Sequence, residues 1–255
     1  HSSRRWRNGR KDISTMPHVL QRNESSGIWT FGQTVWKDRE AGDDQSNPPP
    51  SFLARTLNDA NTFQGRLAFV AGNSVIMSRT NLHTDFWKQS VVSDAADDPI
   101  DVMSTAKSFA TMRRIVPHNR DLAVFSDKAQ FIVFGRTALT PTNAALVLTT
   151  SFECDLNAAP ISAGRNIFFA INNEQFTGVK EFYTEGVEDI NDSRPITQHV
   201  SKYILGTVRQ IASSSNFNIM TVLSTSDLKR IYVYEYLWVD QQKVQSSWST
   251  WLAPF

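Results

Sequence analysis

This sequence has one cysteine, Cys154, so an internal disulfide and a thiolate metal cage are both excluded. A lone thiol fits a chain folded in a reducing cytoplasm, where Cys154 reads as a small core filler. No apolar run approaches the ~20 residues a membrane-spanning helix needs. Charge of one sign is also missing: 26 basic residues face 25 acidic ones. A near-neutral chain has no global attraction for nucleic acid or anionic membrane. There is no Gly-rich phosphate loop, no G-x-S-x-G elbow and no signal peptide. The five histidines, His1, His18, His83, His118 and His199, match no metal-ligand spacing and read as surface or satisfied core residues. Because residue 1 is His and the last residues are apolar, the chain is expected to be a piece of a larger protein.

What the sequence has is aromatic residues, 16 Phe and 7 Trp, in short β-prone runs. The clearest run is Phe63 to Thr80, FQGRLAFVAGNSVIMSRT. Leu67–Ala71 and Ser74–Met77 flank a Gly72-Asn73 turn signal, which predicts a β-hairpin. The pattern returns in Asp121–Gly135 (turn at Asp127-Lys128), Asn166–Tyr183 (turn at Asn172-Asn173) and Asn218–Trp238 (turn around Ser226-Asp227). The spacing of roughly 45–55 residues is that of propeller blades, each built from four short strands. Ile167–Ile171 is apolar on both alternating faces, as expected of a strand in a sheet packed between two others. Tyr232, Tyr234, Tyr236 and Trp238 alternate with Val233, Glu235 and Leu237, giving one aromatic face. The fold expected is all-β, a propeller-like repeat of antiparallel hairpins over residues 14–255, preceded by a basic segment, residues 1–13.

Further strands are expected at Met16–Leu20, within Gly27–Trp36, at Val147–Thr150 and at Gln245–Trp251. Ser104–Phe109 and Ile196–Ile204 each fit a strand or a short helix. Thr184–Pro195 is polar and acidic. Asn47-Pro48-Pro49-Pro50 reads as a stiff crossover, because apolar pattern resumes at once in Ser51-Phe52-Leu53. A PxxP ligand is the alternative reading.

Several groups of residues are candidates for chemistry. Arg4, Arg5, Arg7, Arg10 and Lys11 surround Trp6, a pattern that can grip phosphates and stack a base, or simply form a solvated tail. Ser93–Asp101, SDAADDPID, crowds four carboxylates into one loop. It lacks the central Gly and distant Glu of a calcium loop, so a solvated turn with capping Asp side chains is favoured over a metal site. Glu153, Asp155, Glu181, Glu185, Glu188 and Asp189 contain possible glycosidase pairs, but only the fold sets carboxylate separation. From residue types alone no catalytic, cofactor-binding or metal residue is assigned.

Longer strings add a resemblance. STMPHVLQR, WKDREAGDDQSNPPPSF, FQGRLAFVAGNSVIMSRT, DDPIDV, AVFSDKAQFIV followed by LTPTN, and QSSWSTW occur in this order. Together they resemble the tail tubular protein B, or nozzle, family of short-tailed podovirus-type bacteriophages, over roughly residues 14 to 252. The resemblance implies a β-propeller portion of a longer, non-enzymatic virion tail protein without cofactors, assembled in the bacterial cytoplasm. It implies a homohexameric ring beneath the adaptor, tail tubular protein A, with tail fibre proteins nearby. Double-stranded DNA would pass through the lumen without sequence specificity. A wall dense in Lys and Arg would hold DNA by counterion release, so balanced charge suits a conduit. Two other classes remain: a carbohydrate-active propeller acting on host glycans, and a nucleic-acid-binding module centred on Arg4–Lys11.

Overall fold

The computed structural model describes residues 16–105, 111–185, 190–239 and 242–253. The basic segment therefore lies outside the described residues, as does most of the ambiguous stretch Ser104–Phe109. Two compact units divide the chain, one running to Met103 and including Thr137–Ala145, the other holding Ser104–Arg136 and everything from Leu146.

The first unit opens with a hairpin, β1 (Val19–Arg22) and β2 (Trp29–Gly32). Asn23 starts its turn by accepting the Ser25 and Ser26 amides on Oδ1, both at 3.0 Å. Register puts Leu20 opposite Phe31 and Arg22 opposite Trp29, so these four share one face, where His18 also stacks on Phe31. That face is exposed, Phe31 by 73% and Trp29 by 59%.

A four-stranded antiparallel meander follows: β3 (Leu57–Phe63), β4 (Arg66–Ala71), β5 (Ser74–Met77) and β6 (Ile100–Met103). The predicted Gly72-Asn73 turn joins β4 to β5, and Gly72 adopts φ 60°. The hydrophobic side of this sheet packs on the crossover before it. Pro50 is buried and leads into a single 3-10 turn, Ser51–Ala54, that delivers Phe52 to Phe69 and Phe86 at 5.4 and 5.1 Å between ring centroids. Trp36 closes the cluster over Phe69 and Phe86. Asn47 anchors the same crossover through Nδ2 to the carbonyls of Ala41 and Lys88. The three prolines therefore belong to a fixed, packed connection, as the sequence predicts.

The second unit repeats the meander three times. Its first sheet is β7 (Met112–His118), β8 (Asp121–Ser126), β9 (Gln130–Val133) and β10 (Leu146–Thr150). The second is β11 (Ile161–Ala163), β12 (Asn166–Asn173), β13 (Phe176–Glu185) and β14 (Ile190–Pro195), with the two-residue β15 (Ile204–Leu205) added on β13. The third is β16 (Val208–Ser214), β17 (Ile219–Ser224), β18 (Arg230–Val239) and β19 (Gln242–Leu252). This is an all-β, propeller-like repeat of sequential antiparallel sheets.

β12 shows why the sheets stack. Its even-numbered residues Phe168 and Ala170 pack with Met220, Val222, Tyr234 and Tyr236 of the third sheet. Its odd-numbered residues Ile167 and Phe169 pack with Val116, Phe125 and Ile132 of the first. Phe168 meets Tyr236 at 5.6 Å and Phe125 meets Phe169 at 5.4 Å. A strand apolar on both faces is thus buried on both faces, and truncating one such Phe to Ala costs about 3–5 kcal/mol.

Three local expectations shift. The β12–β13 turn falls at Glu174-Gln175, two residues beyond Asn172-Asn173, because Asn173 still pairs with Phe176 and Glu174 supplies the positive φ of 59°. Part of the polar stretch Thr184–Pro195 is an edge strand, β14, whose register is set by β13. Ile196–Ile204 holds a 3-10 turn, Gln198–Val200, and ends on the bridge strand β15.

Candidate functional site

In the first unit the acidic loop closes on two buried arginines. Arg66 begins β4, is 1% exposed, and turns its guanidinium under the loop that follows β5. It donates to the carbonyls of Ser78 (2.8 Å), Asp98 (2.6 Å), Ala96 (2.9 Å) and Leu139 (3.2 Å). Burial pulls its pKa below the ordinary arginine value, against the pull of Asp97 and Asp98. Arg79 pairs with Asp97 and, at 3.4 Å, with Asp85. Burial lowers the Arg79 pKa, but the two carboxylates outweigh it and the net shift is upward.

Asp98 is fully buried and accepts the amides of Ala95 (2.8 Å) and Gln89 (3.3 Å). The Asp side chains of Ser93–Asp101 thus include a true turn cap. The expectation of a solvated turn is corrected at Asp98, because arginine pairing and backbone donors replace water there. Among the described residues no group of three His, Cys, Asp or Glu is placed to hold a metal ion.

In the second unit the candidate carboxylates separate. Glu181 of β13 is fully buried between the second and third sheets. Oε1 accepts from Asn166 Nδ2 at 2.6 Å, and Oε2 accepts from Arg194 Nε at 3.0 Å and from Lys243 Nζ. Cross-strand pairing explains the second sheet's contribution to this centre: Arg194 on β14 stands opposite Glu181 of β13 in register. Lys243 arrives from β19 and also donates to the Tyr234 hydroxyl at 3.1 Å, which meets Ser246 Oγ at 2.9 Å. Aromatic faces cover the cations, with Lys243 Nζ 5.1 Å from the Trp238 ring and the Arg194 guanidinium 4.8 Å from Tyr183. Burial lowers the Lys243 pKa against the raising effect of Glu181, and pushes the Tyr234 hydroxyl up to about 12.

A general acid needs open access and a second carboxylate across a substrate. Among the described residues Glu181 instead has three protein donors, and no second carboxylate is bonded to the same centre. Asp155 is buried, accepts the Asn157 amide at 3.1 Å and bridges to Ala170 through the backbone. Glu153 is exposed and lines an open cleft of about 470 Å³ with Asp127, Lys128, Asn172 and Lys180. Glu188, Asp189 and the side chain of Glu185 lie outside the described residues. The fold therefore does not assemble Glu153, Asp155 and Glu181 into one site.

The single cysteine is half-buried, receives Gln130 Nε2 at 3.0 Å, and has its thiol pushed up to about 12 by burial. It is a packed thiol and a poor nucleophile. Of the histidines, His83 and His199 are exposed, His18 stacks on Phe31, and His1 lies outside the described residues. His118 is buried at the end of β7. Its Nδ1 lies 2.7 Å from Ser162 Oγ and its Nε2 3.2 Å from the Arg165 carbonyl, so it fastens the first sheet to the second. Burial lowers its pKa. Lys243, Arg194, Asn166 and Arg66 were not singled out from sequence. The only signal for them was their charge or polarity inside β-patterned runs.

The described residues form an all-β repeat of antiparallel sheets whose buried charges Arg66, Arg79, Glu181 and Lys243 are bonded to one another, to other side chains and to backbone. The chain belongs to the bacteriophage nozzle protein family, whose sequence model matches residues 7–254. It is 35% identical over 238 residues to tail tubular protein gp12 of Escherichia phage T7, covering 93% of this chain and 30% of that protein. Membership makes it a phage tail component of structural type. Among solved structures, Kluyveromyces lactis Hsv2 overlays with a TM-score of 0.44 at 12% identity, over 69% of this chain and 47% of that one. The WD40 domain of Toxoplasma gondii coronin gives a TM-score of 0.42 at 14% identity, over 79% and 46%.

Proposed function

We propose that this chain forms part of the wall of a phage tail nozzle, a homohexameric ring that conducts double-stranded DNA out of the virion into the host. The observation that carries the reading is the 35% identity to a phage tail tubular protein over 93% of the chain. In this reading the stacked sheets are blades of a β-propeller and the protein has no enzymatic step. The adaptor, tail tubular protein A, sits above the ring, tail fibres dock nearby, and assembly takes place in the host cytoplasm. Stacked antiparallel sheets locked by buried ion networks suit a wall that must hold its form while a polyanion passes. Near-equal numbers of basic and acidic residues, 26 and 25, keep overall attraction for that polyanion low.

The test is the mass in solution of the full-length nozzle protein, alone and mixed with the adaptor ring. A ring of six, formed or stabilised by the adaptor, supports the reading. A monomer indifferent to the adaptor refutes it, and a screen for glycan cleavage would then address the alternative class.

A further inference from the structure

Two turns in neighbouring sheets of the second unit share one geometry. His118 pairs with Asp121 across a two-residue turn, Asn119-Arg120, and Ala163 pairs with Asn166 across Gly164-Arg165. The first turn residue has positive φ in both, 52° at Asn119 and 60° at Gly164, and the second is arginine in both. The corresponding turn of the third sheet, between Ser214 and Ile219, is longer and carries no arginine.

His118 ties the two turns together. Its Nδ1 lies 2.7 Å from the Ser162 hydroxyl, and its Nε2 lies 3.2 Å from the Arg165 carbonyl and 3.0 Å from Asn119 Nδ2, so it touches both turns. One imidazole thus meets the backbone of Arg165 while belonging to the last residue of β7, directly before the Asn119-Arg120 turn. Both arginines are exposed, and neither guanidinium is held by a carboxylate among the described residues. The nearest acidic neighbour in sequence, Asp121, has its Oδ1 bonded to the Gly135 amide at 2.8 Å. Two like charges are thus held at neighbouring turn tips by a buried residue, without an internal counter-charge bonded to them.

From this arrangement we infer that Arg120 and Arg165 form a paired contact for the phosphate backbone of double-stranded DNA. The ligand rests on the conduit reading; the paired cations and their fastening by His118 do not. Two guanidinia per chain give a weak, sequence-independent contact, since they reach phosphate oxygens and no base-reading element accompanies them. A sparse contact of this kind guides a moving duplex without immobilising it, because each neutralised phosphate adds only one unit of counterion release.

The test measures binding of a fluorescent 20-base-pair duplex to the full chain by anisotropy across a salt series. Wild type is compared with R120Q/R165Q and with the control K202Q/R209Q, which removes the same charge from exposed positions elsewhere. The amino-terminal basic segment is common to all three proteins. For R120Q/R165Q the slope of log affinity against log salt is expected to fall by about 1.8, with binding at low salt weaker by an order of magnitude or more, while the control keeps the wild-type slope. Equal behaviour of the two double variants, or no duplex binding by wild type, overturns the inference. Ring assembly with the adaptor is scored separately, so a ring that forms while the variants bind alike removes this contact and leaves the nozzle reading standing.

Discussion

Replacing Glu181 by Gln keeps the shape of the side chain and removes the only carboxylate bonded to Lys243 and Arg194 among the described residues. Arg194 has 41% of its side chain exposed and can be rehydrated, so little of its charge is stranded. Lys243 is only 11% exposed and loses its counter-charge between two sheets. Breaking a buried pair by removing one partner costs about 3–5 kcal/mol, and the partial exposure of Arg194 places the expectation near the lower end, about 3 kcal/mol. For a unit of this size that loss lowers the melting temperature by roughly 6–12 °C. Denaturant and thermal unfolding of the chain, followed by near-ultraviolet circular dichroism of the surrounding Tyr and Trp residues, reads the effect. Replacing the whole network by apolar residues, with Glu181→Leu and Lys243→Met together, should recover most of the loss, because no buried charge is then unpaired. A Glu181→Gln protein within about 1 kcal/mol of wild type would refute the claim that this network fastens the second and third sheets.

Three further expectations follow from the same physics. Arg66→Met leaves four carbonyls, three of them in buried bonds, without their donor and should cost about 3 kcal/mol or more in denaturant unfolding, and Arg66→Lys should rescue little because one ammonium cannot span them. The folded His118 pKa lies below its ordinary 6.5, so the unfolded chain takes up the proton first; this contribution to stability is whole above about pH 6.5 and is lost as pH falls through the folded value. In unfolding curves between pH 7.5 and 5, His118→Gln should show a shallower loss than wild type. Cys154, with its thiol pushed up to about 12, should resist alkylation in the native protein at pH 8 and react at once in denaturant; rapid native labelling would contradict the burial described for it.

The strand pattern was legible because alternation and turn chemistry are local. Gly72-Asn73 and Asp127-Lys128 lie where the hairpins turn, and Ile167–Ile171 announced a strand covered on both sides before any neighbour was known. Local patterns failed where a strand owes its existence to its partner. Ile190–Pro195 is polar, yet its backbone completes the edge of β13, and Arg194 sits there because Glu181 stands opposite it. The β12–β13 turn moved by two residues because Asn173 gains a ladder position and Glu174 takes the left-handed conformation in its place.

By itself the sequence determined the fold class, the positions of the main hairpins, the stiff crossover through Pro50 and, through its longer strings, the family. Only the tertiary structure decided which charges meet. Glu181 and Lys243 are 62 residues apart, and Arg66 reaches Leu139 across 73. Spacing along a chain carries no record of such contacts, because they are made by sheet stacking and loop closure after the strands have formed. The same holds for His118, which resembles any isolated histidine until β11 brings Ser162 and Arg165 beside it.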